Sequence, residues 1–404
     1  MKKVSVILTR STSLTEDKGF TLVELIIVMF IFIIVIIISA GAFEKIINSS
    51  SQMTKSAESN IEGVIGLEIM RTDLEHAGFG LPYAMPFVAT FEESQVAADS
   101  LAKGIDPADF NDNQTAASDP NKLPRAIQSK AAAGGTAGAW ELGRDYIVIK
   151  STLIGVDAVD AAATKWSYVE GAGNIKQWEN NNDLTEDDRV ITLDALTRTL
   201  IGTDTSNFSY KVGDGILYPP PNQTTNYLVY GVSSKDDLRA PYNRADYYIK
   251  RPDDISPRCA KGTGTLYKAI MRHSDGGVTE YPLLDCVADM QVVYLYDIAL
   301  EGSITPQIRH MDEVEFSNYS AEDIRKGLKE IHVHILSHEG KKDMAYTYVP
   351  LPSLLPSSIL VGETINDGTQ RGHIYDLSQL DGIGSEWANY RWKQYKIVVT
   401  PRNL

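Results

Sequence analysis

No proline occurs between Phe20 and Ala77, although the chain holds 17 elsewhere. Without a helix breaker over those 58 positions, one helix of about 58 residues and roughly 87 Å is allowed. Cysteine is scarce. Cys259 and Cys286 are the only two in 404 residues, so one internal bridge is the most the chain can form. Basic residues are outnumbered, with 38 Lys and Arg against 53 Asp and Glu, for a net charge of −15. So acidic a chain is a poor generic partner for nucleic acid. The mean hydropathy of −0.17 excludes a polytopic membrane protein. Hydrophobic content of 43% and charged content of 23% exclude wholesale disorder. No phosphate-binding Walker loop, no complete Gly-x-Gly-x-x-Gly, no Gly-x-Ser-x-Gly and no His-Glu-x-x-His occurs. The chain is therefore expected to be no enzyme and to carry no cofactor. No internal repeat stands out.

What is present is concentrated at the start. From Phe20 to Phe43 there are 24 residues, and Glu24 is the only charged one. As a helix they span roughly 36 Å, enough for a hydrocarbon core of about 30 Å. Lys2, Lys3, Arg10 and Lys18 precede this run, whereas only Lys45 and Lys55 follow it closely. The positive-inside rule then puts the amino terminus in the cytoplasm and the bulk of the chain outside. An ordinary secretory signal has a shorter apolar region and a small-residue cleavage site, which Ser39-Ala40-Gly41-Ala42 imitates. A carboxylate inside lipid costs roughly 2.5–3.5 kcal/mol on insertion scales. Glu24 therefore either stays wet at the interface or has a functional partner.

Lys18-Gly19-Phe20-Thr21-Leu22-Val23-Glu24, followed by an apolar helix, closely resembles the type IV prepilin signature. The resemblance implies cleavage after Gly19 by a membrane aspartic peptidase, N-methylation of the new terminus at Phe20, and a role for Glu24 in filament assembly. The chemistry is consistent with that. Gly19 lets the backbone pass close to a protease. Cleavage exposes an ammonium at Phe20 that a neighbouring subunit's Glu24 can neutralise, fixing axial register between subunits. The stretch Met70 to Gly80 resembles the end of this helix in PilW-type minor pilins and in the related pseudopilins of type II secretion. The Gly-x-Asp opening at Gly143 and the closing Arg402-Asn403 resemble the same minor pilins.

After Phe43 the residues Ile46, Ile47, Met53, Ala57, Ile61, Val64 and Ile65 keep a helical period. This stripe is expected to pack on the chain's own body, and Gly78, Gly80 and Pro82 are expected to stop the helix. Arg71, Asp73, Glu75 and His76 read as a solvated helix end. Residues 82–140 look irregular, with Asp-Pro pairs, an alanine run and Gly134-Gly135. Strands are expected over 143–149, 190–200, 215–218, 227–232, 247–250, 265–272, 291–296, 329–337 and 395–400. Pro219-Pro220-Pro221 interrupts them.

Three side-chain constellations invite chemistry. Cys259 and Cys286 lie outside the membrane in this topology, so a disulfide is expected; two buried free thiols are the alternative. His332, His334 and His338 share one face of a strand, a zinc-like spacing with no acidic ligand fixed nearby, and are read as a solvent-facing stripe. Asp109 to Asn113 opens like a calcium loop but lacks the turn glycine and the closing glutamate, and Asn180 to Asp188 lacks the spacing altogether. Both are read as solvated loops.

The expected fold class is α+β: a long N-terminal transmembrane or filament helix packed on an antiparallel, pilin-like body with a large insertion. The expected organisation is a leader at 1–19, a membrane or filament-core helix at 20–43, its amphipathic continuation at 44–80, and a β-rich body at 81–404 with the insertion at 82–140. The resemblance implies a minor pilin that primes assembly or sits at the tip of a type IV pilus. A type II secretion pseudopilin, or a membrane-anchored exported enzyme or binding protein, is the alternative. Its implied partners are other major and minor pilins, the prepilin peptidase/methyltransferase, the inner-membrane assembly platform and, before assembly, membrane lipid. The implied location is the inner membrane, with a single pass, and then the pilus.

Overall fold

Thr21 opens the first helix by a reciprocal exchange. Its backbone N–H and hydroxyl donate to Glu24 Oε2 at 2.9 and 3.0 Å, and the Glu24 N–H donates to Thr21 Oγ1 at 3.3 Å. This is a capping box, in which a Thr and a Glu three residues on satisfy each other's open backbone groups. The helix that follows, α1, runs Leu22–Glu75. The computed structural model describes residues 21–85, 91–112, 123–132, 143–155, 161–170, 174–201, 208–214, 226–234, 238–252, 255–299, 305–350 and 356–404. The leader, the Gly19–Phe20 junction, the 215–218 strand and Pro219 to Pro221 lie outside them. The chain divides into two compact units, Met1–Thr54 and Lys55–Leu404. The first holds the apolar half of α1. Among the described residues, Leu22–Ile47 is the one segment long and apolar enough to cross a membrane, and none of its side chains is buried.

The second unit is built of antiparallel strands: β1 (Ile127–Ala131), β2 (Asp145–Ser151), β3 (Trp166–Glu170), β4 (Arg189–Asp194), β5 (Leu200–Ile201), β6 (Tyr210–Lys211), β7 (Asn226–Ser233), β8 (Asn243–Lys250), β9 (Gly264–Met271), β10 (Val278–Asp297), β11 (Ile308–Met311), β12 (Leu328–Glu339), β13 (Ser358–Thr364), β14 (Gln370–Asp376) and β15 (Arg391–Val399). Two short helices, α2 (Glu313–Phe316) and α3 (Ala321–Gly327), lie between β11 and β12. The main sheet has the order β1-β2-β8-β9-β10-β12-β15, with β11 paired to β10. A second sheet is ordered β3-β7-β4-β5, with β6 paired to β4, and β13 and β14 form a separate hairpin. Helix plus antiparallel sheets makes the class α+β, as expected.

The end of α1 lies on the main sheet. Leu67, Met70, Leu74 and Ala77 are buried with Tyr247, Leu284, Ile331, Val333 and Ile335 in one core. Burial of such side chains stabilises by about 1.5–3 kcal/mol each. Two glycines permit the approach: a Cβ on Gly66 would collide with the Leu283 carbonyl, and one on Gly63 would meet Leu284 at 3.2 Å. The contact face is therefore 63, 66, 67, 70, 74 and 77, and the expected 46–65 stripe is a different face. Ile61, Val64 and Ile65 are exposed. The expectation that they pack on the body is corrected, because glycine carries no hydrophobic signal and hid the true stripe.

At the helix end Arg71 is exposed as expected, but Asp73 and Glu75 are not solvated. Asp73 is buried, accepting from the Tyr247 hydroxyl and pairing with Lys268 Nζ, both at 2.6 Å. Glu75 pairs with Arg402 at 2.6 Å, and the Arg402 N–H donates to the Glu75 carbonyl at 3.1 Å. The closing residues thus cap α1, with a cation at the negative end of its dipole. Gly78, at φ +80°, makes the turn that follows.

The region read as irregular, 82–140, supplies β1 and a turn of 3-10 helix at Pro107–Phe110. Ion pairs hold it to the sheet. Lys150 Nζ, fully buried on β2, reaches Glu93 at 2.9 Å, Asp112 at 2.6 Å and the Phe110 carbonyl at 2.7 Å. Arg244 on β8 donates to Asn111 Oδ1, to the Pro107 carbonyl and to Asp246. The solvated reading of Asp109 to Asn113 is thus corrected for Asp112, which is buried between Lys150 and Arg125. Burial alone would raise its pKa, but those two cations prevail and hold it below the usual carboxylate range. Asn113 lies outside the described residues. In the second acidic loop, Asp183 accepts from the Trp178 and Asn180 N–H groups, and Asp188 pairs with Lys165 at 2.9 Å.

Candidate functional site

The N-terminal candidate consists of Glu24 and the Gly19–Phe20 junction. Glu24 lies in the first turn of α1 and is exposed, its carboxylate accepting from Thr21 as described above. That role was not seen in the sequence reading, although Thr-x-x-Glu before an apolar run is its signal. Gly19 and Phe20 lie outside the described residues, so the structure places neither.

Cys259 and Cys286 are joined by a disulfide, with Cα atoms 4.8 Å apart. The bridge spans a sequence separation of 27, and closing such a loop contributes about 3–4 kcal/mol in the chain-entropy account. His338 lies beside it, its Nε2 accepting from the Ala260 N–H at 2.7 Å. Cys259, Cys286 and His338 are close enough to hold a metal ion, but the bridge consumes both thiolates.

The three even-numbered histidines of β12 share a face, as the strand period requires, but that face is not solvent. His332, His334 and His338 have 6%, 1% and 1% of their surface exposed. The solvent-facing reading is corrected. The β13–β14 hairpin packs on β10 and β12 and covers them, so both faces of β12 are interior. The hairpin brings Glu363 over the histidines. Glu363 Oε2 stands 2.9 Å from His332 Nδ1, 3.8 Å from His334 Nε2 and 2.7 Å from Lys396 Nζ. Its Oε1 lies 3.5 Å from His310 Nε2 on β11. On the far side of the His332 ring, Nε2 meets Glu330 at 3.0 Å. Burial first, only partly offset by Glu363, pushes the His334 pKa down to about 4, so this imidazole is neutral at pH 7. Glu363 and His310 were not singled out in the sequence, because each comes from a separate strand and neither sits in a motif.

Beside this cluster lies a second group of acids. Asp145 Oδ2 accepts from the Val292 N–H at 2.6 Å, while Oδ1 has no hydrogen-bond partner among the described residues. Burial, then the Glu313 charge, with Asp289 and Asp312 adding to it, raises the Asp145 pKa well above the ordinary value. A carboxyl whose pKa rises on folding binds more protons folded than unfolded, so it lowers stability as pH climbs above about 3.9. Asp145→Asn keeps an acceptor for Val292 and removes the ionisation. Its thermal midpoint at pH 7 should exceed wild type by a few degrees, roughly 1 kcal/mol, and the gap should close near pH 4. A midpoint that falls at pH 7 would contradict this.

Comparison with curated proteins finds no match. Among solved structures, one neighbour is the type IV-like pilin TTHA1219 from Thermus thermophilus. It is 13% identical over 40% of this chain and 68% of that one, with a TM-score of 0.18. The fold assignment rests on the strand order and register given above. A family model described as the prokaryotic N-terminal methylation motif matches residues 15–40. That match covers the Gly19–Phe20 junction, Glu24 and the apolar helix start, and so this chain carries a prepilin-type N-terminal motif followed by a membrane-length helix.

Proposed function

We propose that this protein is a minor subunit of a type IV pilus, of the PilW type, without catalytic activity of its own. The observation that carries the reading is the methylation motif at 15–40, set on an apolar helix, Leu22–Ile47, none of whose side chains is buried among the described residues. Two features of the body support it. Ile61, Val64 and Ile65 are exposed on a face of α1 not used by the sheet, as expected of a helix that meets neighbouring helices in a filament. The disulfide suits an oxidising compartment beyond the membrane. In this reading the helix anchors the protein in the inner membrane, amino terminus in the cytoplasm. It then passes into the pilus beside other pilins after the prepilin peptidase has acted.

The test is the intact mass of the membrane form. Met1–Gly19 should be lost, with one methyl added on the amine of Phe20. Cleavage near Ala42 would mark an ordinary secretory signal and end the reading.

A further inference from the structure

Three imidazoles and a carboxylate meet beneath the β13–β14 hairpin for reasons written in the strand register. His332 pairs with Val293 and with Val398, and His334 with Gln291 and with Lys396. His310 and Glu330 both face Leu295 from opposite sides. Glu330, His332, His334, His310 and Lys396 therefore project from one face of the main sheet. Glu363 descends on them from the hairpin.

We propose that His332, His334 and Glu363, with His310 at the fourth corner, form a site for a borderline divalent metal ion of the zinc class. The nearest ligand atoms of His332, His334 and Glu363 all lie within 4.8 Å of one another. A tetrahedral zinc with bonds of about 2.05 Å needs ligand atoms roughly 3.3 Å apart. The contacts of Glu363 to the three histidines, 2.9, 3.8 and 3.5 Å, fall on either side of that value. Imidazole nitrogens with one carboxylate are donors for zinc, not for calcium or magnesium.

Two further observations point to a ligand. His334 Nε2 and Glu363 Oε1 are buried without a hydrogen-bond partner among the described residues. Buried polar atoms are rarely left so, and both atoms belong to the proposed site. His332 in turn has its outer nitrogen on Glu330, the carboxylate–histidine arrangement that orients metal-bound imidazoles. Gln394 Nε2 donates to the Gly362 carbonyl at 3.0 Å and lies 2.9 Å from His334 Nδ1, so a bound ion takes the place of the proton on His334 Nε2 and Gln394 must give up its contact with Nδ1. Lys396 occupies the cation's place against Glu363, but its side chain is 43% exposed and is free to swing into water. A bound ion would fasten the hairpin to β12 and β11, independently of any role in a filament.

The test uses the full-length protein in detergent, stripped with chelator and then dialysed against Zn2+ alone. One zinc per chain should remain, and Co2+ in its place should show the visible bands of a tetrahedral site. His334→Gln and Glu363→Gln should weaken zinc binding by about 100-fold, and His310→Gln by about tenfold. Lys396→Met, which changes an exposed side chain and threatens no core, should strengthen binding by about tenfold by removing the competing charge. Circular dichroism confirms the fold of each variant. Zinc lost on dialysis, zinc held equally by folded His334→Gln, or no tightening in Lys396→Met would each overturn the site.

Discussion

Lys150→Met should cost the body about 3–5 kcal/mol, the range seen when one partner of a buried ion pair is removed. Methionine fills much the same volume, so the loss is electrostatic. Lys150 has no exposed surface, and neither have the side chains of Glu93 and Asp112 that it neutralises. Without it, two carboxylates stay buried. Asp112 keeps Arg125 at 2.9 Å, and Glu93 keeps Arg244 at 3.4 Å and the Tyr242 hydroxyl at 2.6 Å. The segment 91–112 should then detach from β2 and β8 before the sheet itself melts. The measurement is the urea midpoint of the body together with limited proteolysis. A midpoint within about 1 kcal/mol of wild type, with 91–112 still protected, would show that Arg244 and Arg125 alone hold the segment. Acid should act in the same direction. The Asp112 pKa is held low in the folded protein, so its share of stability is present above about pH 4 and fades as pH falls through the folded value.

The sequence was most legible where one local rule decides the outcome. The proline-free apolar run became α1, and runs of β-branched and aromatic residues became β2, β7, β9, β12 and β15. The expected 190–200 strand is two, β4 and β5, because Asp194 caps a turn by accepting from the Leu196 and Thr197 N–H groups. What failed was any reading that needed a distant partner. The β13–β14 hairpin was missed even though Asp367-Gly368 marks its turn, since Gly362 and Gly372 stand opposite each other and break the alternation on both strands. That omission left the β12 histidines looking wet. β3 was missed because Trp166–Glu170 adjoins an Asn/Asp-rich stretch that dominates its composition. Asp73 looked solvated because nothing near it in sequence announces Tyr247 or Lys268. The candidate site divides the same way. The Gly19–Phe20–Glu24 signature is contiguous and was legible at once, whereas the histidine–glutamate cluster draws on β11, β12 and β13 and had to be folded to be seen.

Glu24→Gln should leave the protein cleaved and membrane-inserted but largely excluded from pili. The choice of glutamine follows from the capping box. Thr21 donates twice to the Glu24 carboxylate and receives the Glu24 N–H, and a glutamine at this third position preserves such a box. The helix start therefore survives, which alanine would not ensure, and any loss of assembly is attributable to charge. Insertion should be unharmed, because a neutral amide enters lipid at lower cost than a carboxylate. In a filament the balance reverses. On the pilin reading proposed above, the Phe20 ammonium released by cleavage would meet a neighbouring subunit's Glu24 among apolar helices, and removing one member of such a dry pair costs about 3–5 kcal/mol. The ratio of protein in sheared pili to protein in membranes should fall by roughly tenfold or more, even if part of that cost is relieved by water. An unchanged ratio, with processing at Phe20 intact, would show that the carboxylate serves only to cap its own helix.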